Sequence, residues 1–434
     1  MARFAVKEEY ANYMAITYIV DFTVAIALFG FNLLVLREKM AYVRRYLASF
    51  LAISLIIILS VYIVYCTAIR PMPVVYTFLG LVLIVLNFMY QMLFSFLIKL
   101  QKNKLASLIA FSNLLFILVS LAALICFYQL TSFDVLLVRC LQVAAFVVIA
   151  AYAIFPVLLP IAPCSLGRMK GCFIKTFPVG GSTVIGTTSQ YTDKFILSTL
   201  SANAIAQYSV ARFDIPFIGI FLNNMSFVYM EKMKTALDSR DYAAVRSILL
   251  IFTKYGWYFN VLFFTILFCN SKLVICTLYS PQYESAHILF RIILLNYLLR
   301  VLPYTNVIIS MGLEKIIMRR LLIEMALQVV VSLALLHFWG LVGLAASLGI
   351  VLLFWSVPYN FYYIAKAAHT SIGQLLPLKS MTVFFAKCFV PCYAYSIVAE
   401  RVLRQDIYTS ALCIAVIMFL INFREMRFLY ANTK

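Results

Sequence analysis

Along the chain, long apolar runs alternate with short segments that carry charge or Pro/Gly punctuation. A hydrocarbon core of roughly 30 Å is crossed by about 20 residues of helix, and the runs have that length rather than the 4–8 residues of a buried strand. Thirteen spans are predicted. The first five cover Asn12–Leu36, Tyr46–Ile69, Val74–Ile98, Leu105–Leu130 and Val135–Leu159. Eight more cover Cys172–Leu200, Ala204–Met230, Ile248–Asn270, Ala286–Met311, Leu321–Phe338, Leu341–Ile364, Thr382–Ala399 and Ile407–Phe423. The sixth run is interrupted by Pro178, Gly180, Gly181 and Gly186, so a break is expected there. The expected fold class is all-α: a polytopic membrane protein of about 13 transmembrane helices, since helices satisfy their own backbone hydrogen bonds in lipid.

Composition agrees with lipid as the solvent, because 65% of residues are hydrophobic and only 12% are charged, too few to clothe a water-soluble surface of 434 residues. The net charge of +19 would suggest nucleic acid in a soluble protein. Here loop placement explains it, and no nucleic-acid partner is expected. Taking the loops alternately, one set holds 22 Lys and Arg, including Arg44, Lys102, Arg168, Lys234, Arg319 and Lys379, and the other holds six. The positive-inside rule makes the first set cytoplasmic, which puts the N-terminus outside and the C-terminus in the cytoplasm. The stretch MARFAVKEEYANY lacks the features of a cleavable signal. An outside N-terminus without a signal is unusual, so the expectation is either that the first helix inserts with its short tail translocated or that the sequence begins one span late.

Ten cysteines show neither metal-ligand nor redox spacing, and His287, His337 and His369 stand apart at predicted span ends. No metal or cofactor is expected. No catalytic residue stands out either: there is no phosphate-cradling Gly-rich loop and no triad spacing, and the longest external segment, Ser271–Ser285, carries Glu284 as its sole acid.

Candidate chemistry lies with the charges inside the spans, because each costs at least about 2.5–3.5 kcal/mol to insert and so marks a partner or a watery cavity. Arg139, Lys254 and Lys387 lie within two turns of predicted ends, where long side chains reach the headgroups. Arg300 stands mid-span, with Arg291 nine residues earlier and, on an ideal helix, on the opposite face. The cavity candidates are Arg300, Arg291, Arg212 and Lys194. A polar hairpin brings Tyr191, Asp193 and Lys194 opposite Arg212, Asp214 and Pro216, either as mutually neutralising pairs or as a gated patch with Pro216 supplying a kink. Asp21 is the only carboxylate within the first span and a candidate for ion coupling. Glu324 has Arg319 and Arg320 one turn away and reads as structural.

The same hairpin carries a resemblance. Phe177-Pro178, Tyr191, Asp193-Lys194, then Ala206-Gln207-Tyr208-Ser209-Val210-Ala211 and Pro216 resemble the start of the second half in Wzx-like polysaccharide flippases. These belong to the multidrug/oligosaccharidyl-lipid/polysaccharide exporter superfamily. The opening Glu9-Tyr10-Ala11-Asn12-Tyr13, with Asp21 and Phe29-Gly30-Phe31, looks like that family's second span and leaves no counterpart for its first. The resemblance implies two helical lobes around a central cavity: an N-terminal lobe at 1–160, one span short of the pattern, a C-terminal lobe at 172–370, and two additional helices at 380–434.

It also implies alternating access and an oligosaccharide on an isoprenoid pyrophosphate, moved across a bacterial inner membrane for lipopolysaccharide or capsule biosynthesis. Expected partners are that lipid-linked oligosaccharide, membrane lipids and polysaccharide polymerase machinery. Two rivals follow from the residues. A cation or drug antiporter of the same superfamily needs cavity carboxylates, and this chain is richer in intramembrane cations. A polytopic glycosyltransferase or polymerase needs a larger external loop than this chain has.

Overall fold

The computed structural model describes residues 3, 5–32, 35, 39–69, 71, 73–127, 131–159, 162–213, 232–300, 302, 304–311, 313–401, 408–410, 412–418 and 421. Among them every regular element is a helix, and seven helices are long and apolar enough to cross a membrane. The fold is all-α, and the chain separates into two compact units, Met1–Ala206 and Gln207–Lys434.

In the first unit, α1 (Lys7–Leu28) is followed by α2 (Met40–Val64), which runs on through a π turn at Tyr65–Ile69, and by α3 (Val74–Lys99). Then come α4 (Asn103–Phe127), α5 (Ser132–Leu158), α6 (Leu166–Ser198) and the start of α7 (Ala202–Ala211). α1 ends because Phe29 (φ 40°) and Gly30 (φ 69°) turn left-handed, so its helix stops short of the Leu36 expected from hydrophobicity alone.

α5 has a built N-terminus. The Thr131 side chain accepts from the Asp134 N–H at 3.2 Å and donates to the Asp134 carboxylate at 2.6 Å. The Glu9 carboxylate of α1 accepts from the backbone N–H of Ser132, placing negative charge at the positive end of the helix. The Ser132 hydroxyl lies 2.9 Å from that of Tyr76, which ties α1, α3 and α5 together at one end. Phe31, Phe50 and Phe88 stack through the core with Leu83 and Ile84.

The sixth run is one continuous 33-residue helix, not a broken one. One of its glycines serves close packing: a Cβ on Gly180 would overlap the carbonyl oxygen and ring of Phe29. α6 packs along α1 and α2, and the boundary between the two compact units falls at Ala206–Gln207.

The second unit contains α8 (Tyr242–Cys269), α9 (Ser271–Leu278), α10 (Ala286–Leu299) and α11 (Tyr304–Ser310). It continues with α12 (Glu314–Val351), a π turn at Leu352–Ser356, α13 (Val357–Ala367) and α14 (Leu378–Arg401). Gly340 breaks α12 with φ 57° and ψ −141°, a conformation only glycine adopts without strain, and so separates the predicted tenth and eleventh spans. The two arms of α12 then meet through buried hydrogen bonds from the Gln328 amide (3.1 Å) and the Ser332 hydroxyl (3.0 Å) to the Ser347 hydroxyl.

The predicted ninth span is not continuous. It is interrupted after Leu299, where Arg300 has φ −92° and ψ 55°. A helix broken at membrane depth frees carbonyls that must find donors. Buried Asn260 of α8 supplies two, its amide reaching the Tyr297 and Arg300 carbonyls at 2.9 Å each, and the Tyr304 hydroxyl bonds the Leu299 carbonyl at 2.8 Å.

Candidate functional site

The first unit gathers charge in one place. Tyr18 and Asp21 are three residues apart on α1, and Tyr191 and Lys194 are three apart on α6, so each pair shares a helical face. Asp21 is exposed although it stands inside a long apolar helix, and both Arg139 of α5 and Lys194 of α6 act on it electrostatically. The Arg139 guanidinium donates to the Tyr13 hydroxyl at 3.1 Å. The Lys194 ammonium stands 4.1 Å from the ring centroid of Tyr191 and 5.0 Å from that of Tyr18, at cation–π distance from both. Two cations, one carboxylate and three phenols therefore come together here, and the three ionisable groups Asp21, Arg139 and Lys194 sum to a formal charge of +1.

This patch borders an apolar groove. The Phe22 ring lies 6.0 Å from Tyr191 and 4.4 Å from Phe195, and these two phenylalanines begin a groove whose lining is apolar. Asp193, next to Lys194 in the chain, is buried at 2% exposure, and its carboxylate accepts from the Lys194 backbone N–H at 2.9 Å. Asp214 and Pro216, the other half of the expected hairpin, lie outside the described residues.

In the second unit, Arg212 and Arg300 line one small cleft with Asn296 and Tyr297. Arg300 reaches it from the non-helical break rather than from a helix face. Arg291 is used differently: its Nε donates to the Phe268 carbonyl (3.2 Å) and the Ser271 hydroxyl (2.6 Å), holding the junction of α8 and α9. Glu324 accepts from the Ser356 hydroxyl at 2.7 Å beside Arg320, an arrangement internal to the α12–α13 hairpin. Among the described residues no cluster of three or more His, Cys, Asp or Glu is placed to hold a metal.

By sequence, no protein family and no curated protein matches the chain. By structure, it aligns over its whole length with 95% of the lipid II flippase MurJ in an inward closed conformation, at 14% identity and a TM-score of 0.74. The chain has the fold of that flippase. A point mutant of the Vibrio cholerae MATE transporter VcmN aligns over 86% of this chain and 88% of its own at 12% identity and a TM-score of 0.49.

Arg139 is the member of the cluster that the sequence alone does not single out. It sits seven residues into α5, where an arginine ordinarily reaches the headgroups. Its partner Tyr13 is 126 residues away, a pairing that no local spacing reveals.

Proposed function

We propose that the chain is a membrane transporter that moves an isoprenoid-pyrophosphate-linked oligosaccharide across a bacterial inner membrane by alternating access, for surface polysaccharide export. The observation that carries this reading is the cluster of Asp21, Arg139 and Lys194 with its tyrosines, in a chain whose fold is that of the lipid II flippase MurJ. A pyrophosphate cannot enter hydrocarbon without donors and opposite charge, and a guanidinium beside an ammonium supplies both. Tyrosine rings offer sugar rings a flat apolar face with a hydroxyl at its edge. Arg212 and Arg300 give the second unit a cationic surface of its own for an anion.

Asp21 tempers the charge of the cluster. Transport requires release as well as capture, and a site of net +1 holds an anion less tightly than one of +2. The distribution of basic loops supports an N-terminus outside and a C-terminus in the cytoplasm, and the partners in this reading are the lipid-linked oligosaccharide, bilayer lipids and the polymerase that receives the sugar. No catalytic residue and no cofactor enters this scheme.

The test is translocation of a fluorescent, isoprenoid-pyrophosphate-linked oligosaccharide in proteoliposomes, read as the appearance of the sugar on the far side. Wild type is expected to accelerate flipping over empty vesicles, and Arg139→Gln at matched protein level to reduce it. If wild type moves no such lipid but expels an organic cation against a proton gradient, Asp21 is the cargo carboxylate of an antiporter and the proposal is wrong.

A further inference from the structure

Next to the charged patch the first unit carries a groove of about 410 Å³. Ile19 and Phe22 of α1, Ser60 and Val64 of α2, Ile69 in the π turn and Phe195 of α6 line it. Val64 is 55% exposed and Ile69 37% exposed, so the groove is open along the α2 side. A π turn inserts an extra residue into a helical turn and offsets its side chains from the ridge of the α-helix, and such turns recur at functional sites. The volume falls within the roughly 300–1,000 Å³ of ligand pockets.

From this geometry we infer that the groove seats the hydrocarbon chain of a single-chain lipid whose anionic head lies on the Asp21–Arg139–Lys194 patch, an inference that rests on the function proposed above. Continuity is the first argument. Phe22 belongs to both surfaces, 4.4 Å from Phe195 on the apolar side and 6.0 Å from Tyr191 on the polar side. Tyr191 in turn lies 4.1 Å from the Lys194 ammonium, so the surroundings pass from hydrocarbon to fixed cation across two aromatic rings. Charge and chain number decide the occupant. A patch of net +1 selects an anionic head over a zwitterionic one. A lone groove takes one chain, whereas a diacyl phospholipid seated by its phosphate would leave its second chain outside. A polyprenyl diphosphate has one chain and an anionic head.

The experiment uses the full chain in proteoliposomes and a polyprenyl diphosphate carrying a diazirine within its chain. Photolabel is expected on peptides containing residues 60–69 and is expected to be displaced by unlabelled polyprenyl diphosphate but not by the same amount of phosphatidylglycerol. In parallel, the double variant Ser60→Phe, Val64→Phe fills the groove from two exposed positions one turn apart. It is expected to raise the half-saturating concentration of a long-chain lipid-linked oligosaccharide about tenfold, while leaving that of a substrate trimmed to two isoprene units unchanged.

Val148→Phe, on an exposed stretch of α5, serves as the control and is expected to change neither. Label displaced by phosphatidylglycerol, label absent from 60–69, or equal effects on long and short chains would overturn the groove assignment while wild-type flipping leaves the proposed function standing. Absence of wild-type flipping removes the function and the groove assignment together.

Discussion

Two substitutions in the charged patch are expected to move binding in opposite directions. Arg139 donates to Tyr13 at 3.1 Å and shares Asp21 with Lys194, so Arg139→Gln takes the patch from net +1 to neutral. A charge-assisted hydrogen bond contributes about 1.5–3 kcal/mol, which is roughly a 10- to 150-fold rise in the half-saturating concentration of a diphosphate lipid. Arg139→Lys keeps the charge but loses the planar fork, and it is expected to fall between wild type and Arg139→Gln. Asp21→Asn does the reverse, taking the patch to +2: the lipid binds more tightly and turnover slows at release.

The assay is initial flipping rate against the mole fraction of the lipid-linked oligosaccharide, at two ionic strengths, with folding checked by size exclusion in detergent. The signature is a rise in KM for Arg139→Gln and a fall in both KM and kcat for Asp21→Asn. Loss of binding in Asp21→Asn with normal binding in Arg139→Gln would refute the anion reading, because that pattern belongs to a site whose cargo is a cation.

Other expectations concern what holds the site in place. Asn260→Ala leaves the carbonyls of Tyr297 and Arg300 without their donor, at a cost of about 2–4 kcal/mol that a lowered thermal midpoint in detergent should reveal. Asn260→Asp is not expected to rescue it, since a carboxylate donates nothing. Gly180→Val places a side chain where Phe29 already stands and should destabilise the first unit by about 1–3 kcal/mol, seen as faster proteolysis of the α1–α6 packing.

Glu284 and Lys272 form an exposed pair at 2.7 Å, and the Lys272 hydrogen bond holds the Glu284 carboxyl below its ordinary range. A depressed folded pKa stabilises above the unfolded value and is lost as pH falls through the folded one. Glu284→Gln should therefore cost under about 1 kcal/mol near neutral pH and nothing once the pH is below both values, and a larger pH-independent loss would contradict the assignment.

How far the sequence reveals this molecule depends on whether a feature is local. Helix existence follows from the apolar runs, and the division of α12 follows from Gly340, which separates two runs that hydropathy already distinguishes. The glycines of α6 mislead because helix propensity is a local property, whereas Gly180 answers to Phe29 on a different element. The break after Leu299 is hidden for the opposite reason. Leu302-Pro303 signals it weakly, but the donor that makes it tolerable, Asn260, lies 40 residues from Arg300. The site divides in the same way. Lys194, Tyr191 and Asp21 stand out as polar residues in apolar runs, while the position of Arg139 looks like an ordinary helix end until the fold brings Tyr13 beside it.

The positive-inside rule accounts for the basic loops, yet it gives no reason for a carboxylate and two cations to meet within a membrane. Neutralisation alone would need one cation for Asp21, and a helix bundle seeking only stability would do as well with neither. The second cation sits beside tyrosines and an apolar groove. Fixed positive charge in excess of the local carboxylate is retained at a cost in stability. Under the proposed function that charge is completed by the cargo, and the acid beside it is expected to set how readily the cargo leaves, as the Asp21→Asn measurement tests.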